Sequence, residues 1–353
     1  MALELVTPTL AAAEASGHRP VLAEALTEAG EVMLDLADRH DEGLALLQRA
    51  VDLAEATHHD RLAARIWLDL TFETANALRD EARGRAELRR AEASSERVGT
   101  SALTRARLAA LRGTIELQAG HGDAAEAALR AALARLDELD PLDPRDRADE
   151  AAARLVRPAV LAPLAQVVAE LGRGDEALEL RRQALRAAQA GYGAQHPGVA
   201  PYAFALGQAL QAAHRDDEAV APLEQAAALW LGSPQVPDAE LGTALLSLAQ
   251  VALASGELEA AERRARDAAA ILARSLPKVH QRHGDASMAL AVIAEQRGDH
   301  DAALQRFDRA AEQYRRSLGA SAPLLADVEV NAGITLLELR RFDDARLRFR
   351  SAL

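Results

Sequence analysis

Residues Gly193 to Trp230 read GAQHPGVAPYAFALGQALQAAHRDDEAVAPLEQAAALW, and this stretch holds one complete unit of the fold. Pro197 suits the first turn of a helix, where its missing N–H has no intrahelical partner. Gly207 leaves room for a second helix to approach closely. Asp216 and Asp217 offer caps for that second helix. Within it, Ala219 and Ala226 lie seven residues apart on one side, with Leu223 between them at i+4. The stretch therefore predicts helix, tight turn, helix.

The rest of the chain repeats the pattern. Small residues of the second helix recur at Ala2, Gly43, Gly84, Ala125, Ala177, Ala219, Ala261, Ala303 and Ala345, in three steps of 41, one of 52 and four of 42. Seven residues after each stands Thr9 or an alanine: Ala50, Ala91, Ala132, Ala184, Ala226, Ala268, Ala310 and Ala352. The first helix has its own small slot twelve residues earlier, at Gly113, Ala165, Gly207, Ala249, Ala291 and Gly333. Two slots kept small on facing helices are what close antiparallel packing needs. Between them Gly120, Gly172, Gly256 and Gly298 end the first helix, since glycine accepts the left-handed conformation of a C-terminal cap.

This small-x11-small-x6-Ala pattern resembles the tetratricopeptide repeat, and its 42-residue step is similar to the longer variety of kinesin light chains and many bacterial proteins. The loop GAQHPGVA at Gly193 to Ala200 resembles that family's inter-repeat loop. LGASAPLLAD at Leu318 to Asp327 places Gly319 and Pro323 correspondingly, and His280 falls two periods after His196. HEAT-like repeats overlap in length but lack the slot arrangement. The resemblance implies an all-α, right-handed superhelical solenoid of antiparallel helix pairs, roughly eight pairs after a leading helix.

The regularity has exceptions. Leu3 to Ser16 read as a second helix without its first, with order expected from about Thr7 because Pro8 breaks a helix bond. Phe72 falls in a small slot, which predicts a shifted turn or a wider helix pair around Trp67. Asp137 to Pro158 accounts for the 52-residue step: Pro141 and Pro144 predict a non-helical connection, Asp146 to Val156 an extra short helix, and Pro163 a kink after a helix start at Pro158. The expected division is an N-terminal array over 1–139, an irregular insertion over 140–157 and a regular array over 158–353. Both ends fall inside a repeat, so the chain reads as part of a larger protein.

Composition narrows function. Aromatic residues make up 3% of the 353, which favours thin alanine-rich layers over a conventional core. The 41 basic and 54 acidic residues give a net charge of −13 with no basic block, so nucleic acid is not an expected partner. Lys278 is the sole lysine; the arginines read as solvated helix faces. The absence of cysteine excludes disulfides and thiolate chemistry. Composition offers no long uncharged apolar run, so membrane contact is not expected and the location is read as cytoplasmic.

The sequence shows no pattern that points to a site of chemistry. His58 and His59 are adjacent and point in different directions on one helix, which suits a capping or solvated role. His280 and His283, with Asp285, have a chelating spacing but fall in an inter-repeat loop whose family counterpart carries histidine structurally. Carboxylate pairs such as Asp343 and Asp344 sit at expected caps. No nucleophile elbow, phosphate loop or dinucleotide fingerprint is present, so no catalytic residue, metal or cofactor is expected.

The inner face of the first helices is the candidate groove. Phe204, Leu246, Met288 and Val330 share one slot, and Gln166, Gln208 and Gln250 share another four residues along, on the same helical face. Glutamine both donates to and accepts from a peptide backbone. The opposing reading makes the apolar slot inter-helix core and the glutamines solvated. Kinesin-light-chain-like repeats commonly carry asparagines before the first small slot that engage an extended peptide. Here Asn331 stands there, while Ala205, Ser247 and Ala289 hold the equivalents.

The N-terminal junction AEASGHRP, Ala13 to Pro20, resembles the repeat region that follows the catalytic domain of bacterial serine/threonine protein kinases. That resemblance implies a regulatory or substrate-docking scaffold with a protein or peptide partner. Similar arrays follow the nucleotide-binding domains of signalling regulators, which gives a sensor region as the alternative. Self-association through exposed array ends is a third.

Overall fold

The computed structural model describes residues 2–34, 39–75, 80–139, 147–232 and 238–353. Among these the regular structure is helical: α1 (Ala2–Ser16), α2 (Arg19–Leu34), α3 (His40–Ala56), α4 (Asp60–Glu73), α5 (Glu81–Val98), α6 (Ala102–Gln118), α7 (Gly122–Asp137), α8 (Arg147–Glu170) and α9 (Gly174–Tyr192). A 3-10 turn at Pro197–Val199 then leads into α10 (Ala200–Ala212), α11 (Asp216–Leu231), α12 (Asp238–Ala254), α13 (Leu258–Ser275), α14 (Gln281–Gln296), α15 (His300–Leu318), α16 (Pro323–Glu338) and α17 (Phe342–Ser351). The chain divides into two compact units, Met1–Ala187 and Ala188–Leu353, with the boundary falling inside the α9 sequence range.

In each unit the neighbours follow chain order. In the N-terminal unit α2 packs on α3, α4 on α5 and α6 on α7, while the first helices α4 and α6 also touch. In the C-terminal unit α10 pairs with α11, α12 with α13, α14 with α15 and α16 with α17, and the first helices α10, α12, α14 and α16 touch in succession. This is the all-α repeat architecture that the small-residue slots demand.

The slots explain why hairpins form. Ala125, Ala132, Ala219, Ala226, Ala261, Ala268, Ala303, Ala310 and Ala345 are all 0% exposed, and Ala177 and Ala184 are buried too. Opposite them the first helix must be small. A Cβ on Gly207 would lie 2.5 Å from Leu223 Cγ, one on Gly113 2.5 Å from Leu129 Cγ, and one on Gly333 2.6 Å from Phe349 Cε1. At those separations even alanine overpacks the pair.

The turns inside the hairpins are equally uniform. Gly120, Gly172, Gly256 and Gly298 take φ between 76° and 82°. The next residue in each donates its N–H five residues back: His121 to Glu116, Arg173 to Val168, Glu257 to Ala252 and Asp299 to Ala294, at 2.8 to 3.0 Å. That closes the helix end in a Schellman motif. In two repeats the left-handed position is not glycine: His214 has φ 56° and Arg340 φ 58°. L-residues are strained there. His214→Gly and Arg340→Gly are therefore each expected to stabilise the chain by roughly 0.5–1 kcal/mol, read as a rise in melting temperature. A fall in both would refute the strain argument.

Several expectations are corrected. Helix α1 runs from Ala2 through Pro8, because the proline sits in the second turn and removes one bond of a helix that packs along α2. The segment 147–157 is not a separate short helix: it forms the first turns of α8, which continues through Pro158 and Pro163. Buried Val160, Leu161, Leu164, Val167 and Val168 offset the two lost bonds. Residues 140–146, with Pro141, Pro144 and Asp146, lie outside the described residues. Thr71, not Phe72, takes the small slot of α4: Thr71 is 0% exposed and Phe72 48%. The spacing from Thr71 to Gly84 is thirteen residues, as from Gly30 to Gly43, so the α2–α3 and α4–α5 pairs carry one extra residue between slots. Asp216 and Asp217 are not caps but first-turn residues of α11, whose cap position is Arg215. Asp343 and Asp344 likewise lie inside α17, with Arg341 paired to Asp344 at 2.7 Å. Acids there still favour the positive end of the helix dipole.

Among the described residues one helical stretch, Ala151–Glu170, is long and apolar enough by length and composition to cross a membrane. It carries Arg154 and Arg157, the latter paired with Asp137 at 2.7 Å, and packs on α6 and α7 as a repeat helix.

Candidate functional site

The histidines at the helix starts have structural work: His280 is the cap residue of α14, while His283 and Asp285 lie in its first turns and not in the inter-repeat loop expected of them. His196 Nδ1 accepts the Gly198 N–H at 3.0 Å, and His280 Nδ1 accepts the Arg282 N–H at 3.1 Å, the same cap two periods apart. His283 Nε2 lies 2.9 Å from the Pro277 carbonyl, and the His280 and His283 rings are 6.4 Å apart, edge to face. His58 takes a left-handed turn with φ 56°, and His59 precedes α4 without a side-chain cap bond. Among the described residues no group of three or more His, Asp or Glu is placed to hold a metal ion.

On the first helices of the C-terminal unit the two slots of the candidate groove separate. Leu246 is buried, packed with Leu272 and Ala286. Met288 is half-buried against Leu325 and Val328. Phe204 is half-buried, edge-on to Trp230 at 5.3 Å. Only Val330 of that slot is exposed, at 39%. The apolar slot is therefore mainly the contact between one pair and the next. Gln208 and Gln250 are exposed beside it, and in the N-terminal unit Gln166 is exposed and donates to Glu170 at 2.9 Å. Asn331 spends its amide on the Asp327 carbonyl at 2.7 Å.

Sequence reasoning missed residues that surround this face. Gln211 Nε2 donates to the Ser247 carbonyl at 3.1 Å, tying α10 to α12. Thr335 Oγ1 donates to Glu295 at 2.7 Å, tying α16 to α14. Tyr314 Oη donates to Asp285 Oδ1 at 2.8 Å, with its ring over Gly284. Burial raises the Asp285 pKa, opposed by the Tyr314 bond and the charge of Arg282. Burial, and then the charge of Asp285, raise that of Tyr314. Ile334 and Leu337, each 43% exposed, continue the face of Val330 along α16. The signal for them was present: Ile334 stands two periods after Gln250, in the glutamine slot.

What is exposed on successive first helices is thus Gln208 and Gln250, beside a largely buried apolar slot. The comparisons agree at the level of fold. Among curated proteins no sequence matches the chain. The apo form of RapI is similar in structure, with TM-score 0.56 and 14% identity, covering 82% of this chain and 96% of that one. A Rap protein complexed with competence and sporulation factor has TM-score 0.51 and 16% identity over 94% of this chain and 96% of that one. Kinesin-light-chain TPR-like repeats from Podosopora anserina have TM-score 0.47 and 21% identity over 60% of this chain and 96% of that one. The tetratricopeptide repeat family matches residues 157–231 and 284–353. Over those residues the chain carries tetratricopeptide repeats, on the all-α repeat fold that its structural neighbours share.

Proposed function

We propose that the chain is a non-catalytic protein-interaction scaffold that holds a polypeptide along the first helices of its C-terminal unit. The observation that carries this reading is the exposure of Gln208 and Gln250 on successive first helices, above an apolar slot already filled by core packing. Both amides are free to pair with a passing backbone, and holding them costs the array nothing in core stability. Its setting, by the resemblance of the N-terminal junction, is the regulatory or substrate-docking region of a bacterial serine/threonine protein kinase.

Replacing Gln208 and Gln250 together by alanine is expected to weaken a partner obtained by affinity capture about tenfold, with the melting temperature unchanged. Unchanged affinity of that purified partner would refute the groove. A second reading, a sensor array that takes up a signalling factor, is favoured by the likeness along almost the whole chain to the Rap protein complexed with competence and sporulation factor. A chain whose partner is a kinase substrate supports the first setting, and one whose ligand is a small molecule or short peptide supports the second.

A further inference from the structure

Four residues after the first small residue of each second helix, the side chain belongs to the interior of its own hairpin. Leu47, Leu88, Leu129, Leu223, Ala265 and Phe307 hold this position and all are buried. The small residue of the first helix faces it directly. A Cβ on Gly30 would lie 2.9 Å from Leu47, one on Gly113 2.5 Å from Leu129, one on Gly207 2.5 Å from Leu223 and one on Gly333 2.6 Å from Phe349. In α9 the same position is Arg181, and the register sets Ala165 of α8 opposite it. The buried residues at that level are Leu164, Ala165 and Val168 on α8 and Ala177, Leu178 and Ala184 on α9, all of them apolar.

Arg181 is half-buried there and has neither an ion pair nor a hydrogen bond among the described residues. The acids of these two helices are engaged elsewhere or stand apart. Glu179 takes Arg186 at 2.8 Å, Glu176 takes Arg130 and Arg173, and Glu170 accepts from Gln166, while Asp175 is exposed in the first turn of α9. Burial alone pushes the Arg181 pKa below the ordinary arginine value, yet a guanidinium keeps its proton at neutral pH. Burial acts on Arg65 and Arg348 as well, but there Glu31, and Asp308 with Glu329, outweigh it. A charge drawn out of water with no counter-charge costs stability that a leucine in the same place would not.

We propose that Arg181 anchors an anion site in the α8–α9 hairpin, taking one oxyanion, phosphate or carboxylate, against its guanidinium. The planar fork of donors meets two oxygens at once, and the apolar surroundings strengthen the pair and supply no rival acceptor. The site uses neither Gln208 nor Gln250, so it stands or falls independently of the scaffold reading.

The test melts the full chain in inorganic phosphate and in chloride at equal ionic strength. About 10 mM phosphate is expected to raise the melting temperature by about 2 °C. Arg181→Leu is expected to abolish the rise and to melt at least as high as the parent in chloride, since leucine fills this position in other hairpins. Arg181→Lys keeps the charge without the fork and is expected to retain about half of the rise. A second arm follows a labelled peptide rich in Glu and Asp by fluorescence anisotropy, its binding expected to fall at least about fivefold in Arg181→Leu where a partner protein supplies the carboxylate. A phosphate rise lost in Arg181→Leu assigns the site to a free ion; peptide binding lost there without a phosphate rise assigns it to a partner's carboxylate. Phosphate and peptide effects that are equal in parent and Arg181→Leu, or absent from both, overturn the proposal. So does an Arg181→Leu protein that melts well below the parent in chloride, since the fold itself then holds the guanidinium.

Discussion

Replacing Phe307 by alanine is expected to lower the stability of the C-terminal unit by about 3–5 kcal/mol. Phe307 is 0% exposed, and the cluster around it includes Ala291, Ala294, Ala303, Ala310 and Ala311. The alanines have no side chain that can swing into the space, so relaxation is left to the larger neighbours Tyr314, Leu325 and Val328 and much of the cavity stays open. In a repeat array each pair depends on its neighbours, so the loss is expected to concentrate in α14, α15 and α16. Hydrogen exchange measures this: amides of those helices lose protection while those of α2 and α3 keep theirs. A loss below about 1 kcal/mol, or one spread evenly over both units, would contradict the packing described.

Trp67→Ala is expected to cost a similar amount, about 3–5 kcal/mol, in the N-terminal unit. Trp67 is 2% exposed within the cluster that includes Leu47, Val51, Leu70 and Leu88. Its Nε1–H donates to Glu55 at 2.8 Å, and the Arg90 guanidinium stands 4.8 Å from the ring centroid. Trp67→Phe keeps most of the volume and loses the indole bond, so it is expected to cost about 1–2 kcal/mol. The chain has two tryptophans, Trp67 and Trp230, one in each unit. Trp230 fluorescence then reports the C-terminal unit alone in the Trp67→Ala protein, and it is expected to unfold there as in the parent. A shared transition shifted equally in both would show that the units melt together.

The repeat register was legible in the sequence because a slot that favours Gly or Ala leaves a mark at steps of 41 or 42 residues over most of the chain. Ala226 and Gly207 are read equally well in either view. What the register does not show is which side of a helix the next pair covers. Leu246 and Val330 occupy one slot, yet Leu246 is buried and Val330 exposed, since exposure depends on the neighbouring layer and not on the residue. The misplacement at Phe72 has a similar origin: one extra residue between slots turns the helix face by about 100° and moves Thr71 inward. Proline was read too strictly, since the local cost of a missing bond at Pro158 and Pro163 is visible in the sequence and the packing that offsets it is not.

Arginines link consecutive pairs within each unit. Arg65 meets Glu31 at 2.6 Å and Arg107 meets Asp69 at 2.9 Å in the N-terminal unit; Arg264 meets Glu224 at 3.0 Å and Arg348 meets Asp308 at 2.6 Å in the C-terminal unit. Within hairpins the buried alanine slots do most of the joining, beside a few ion pairs such as Arg97 with Asp60 and Arg348 with Glu329, and the ionic contacts at the junctions are ones that dissolved electrolyte weakens. Added salt therefore acts on these junction pairs before it acts on the buried alanine slots, whose contacts carry no charge to screen.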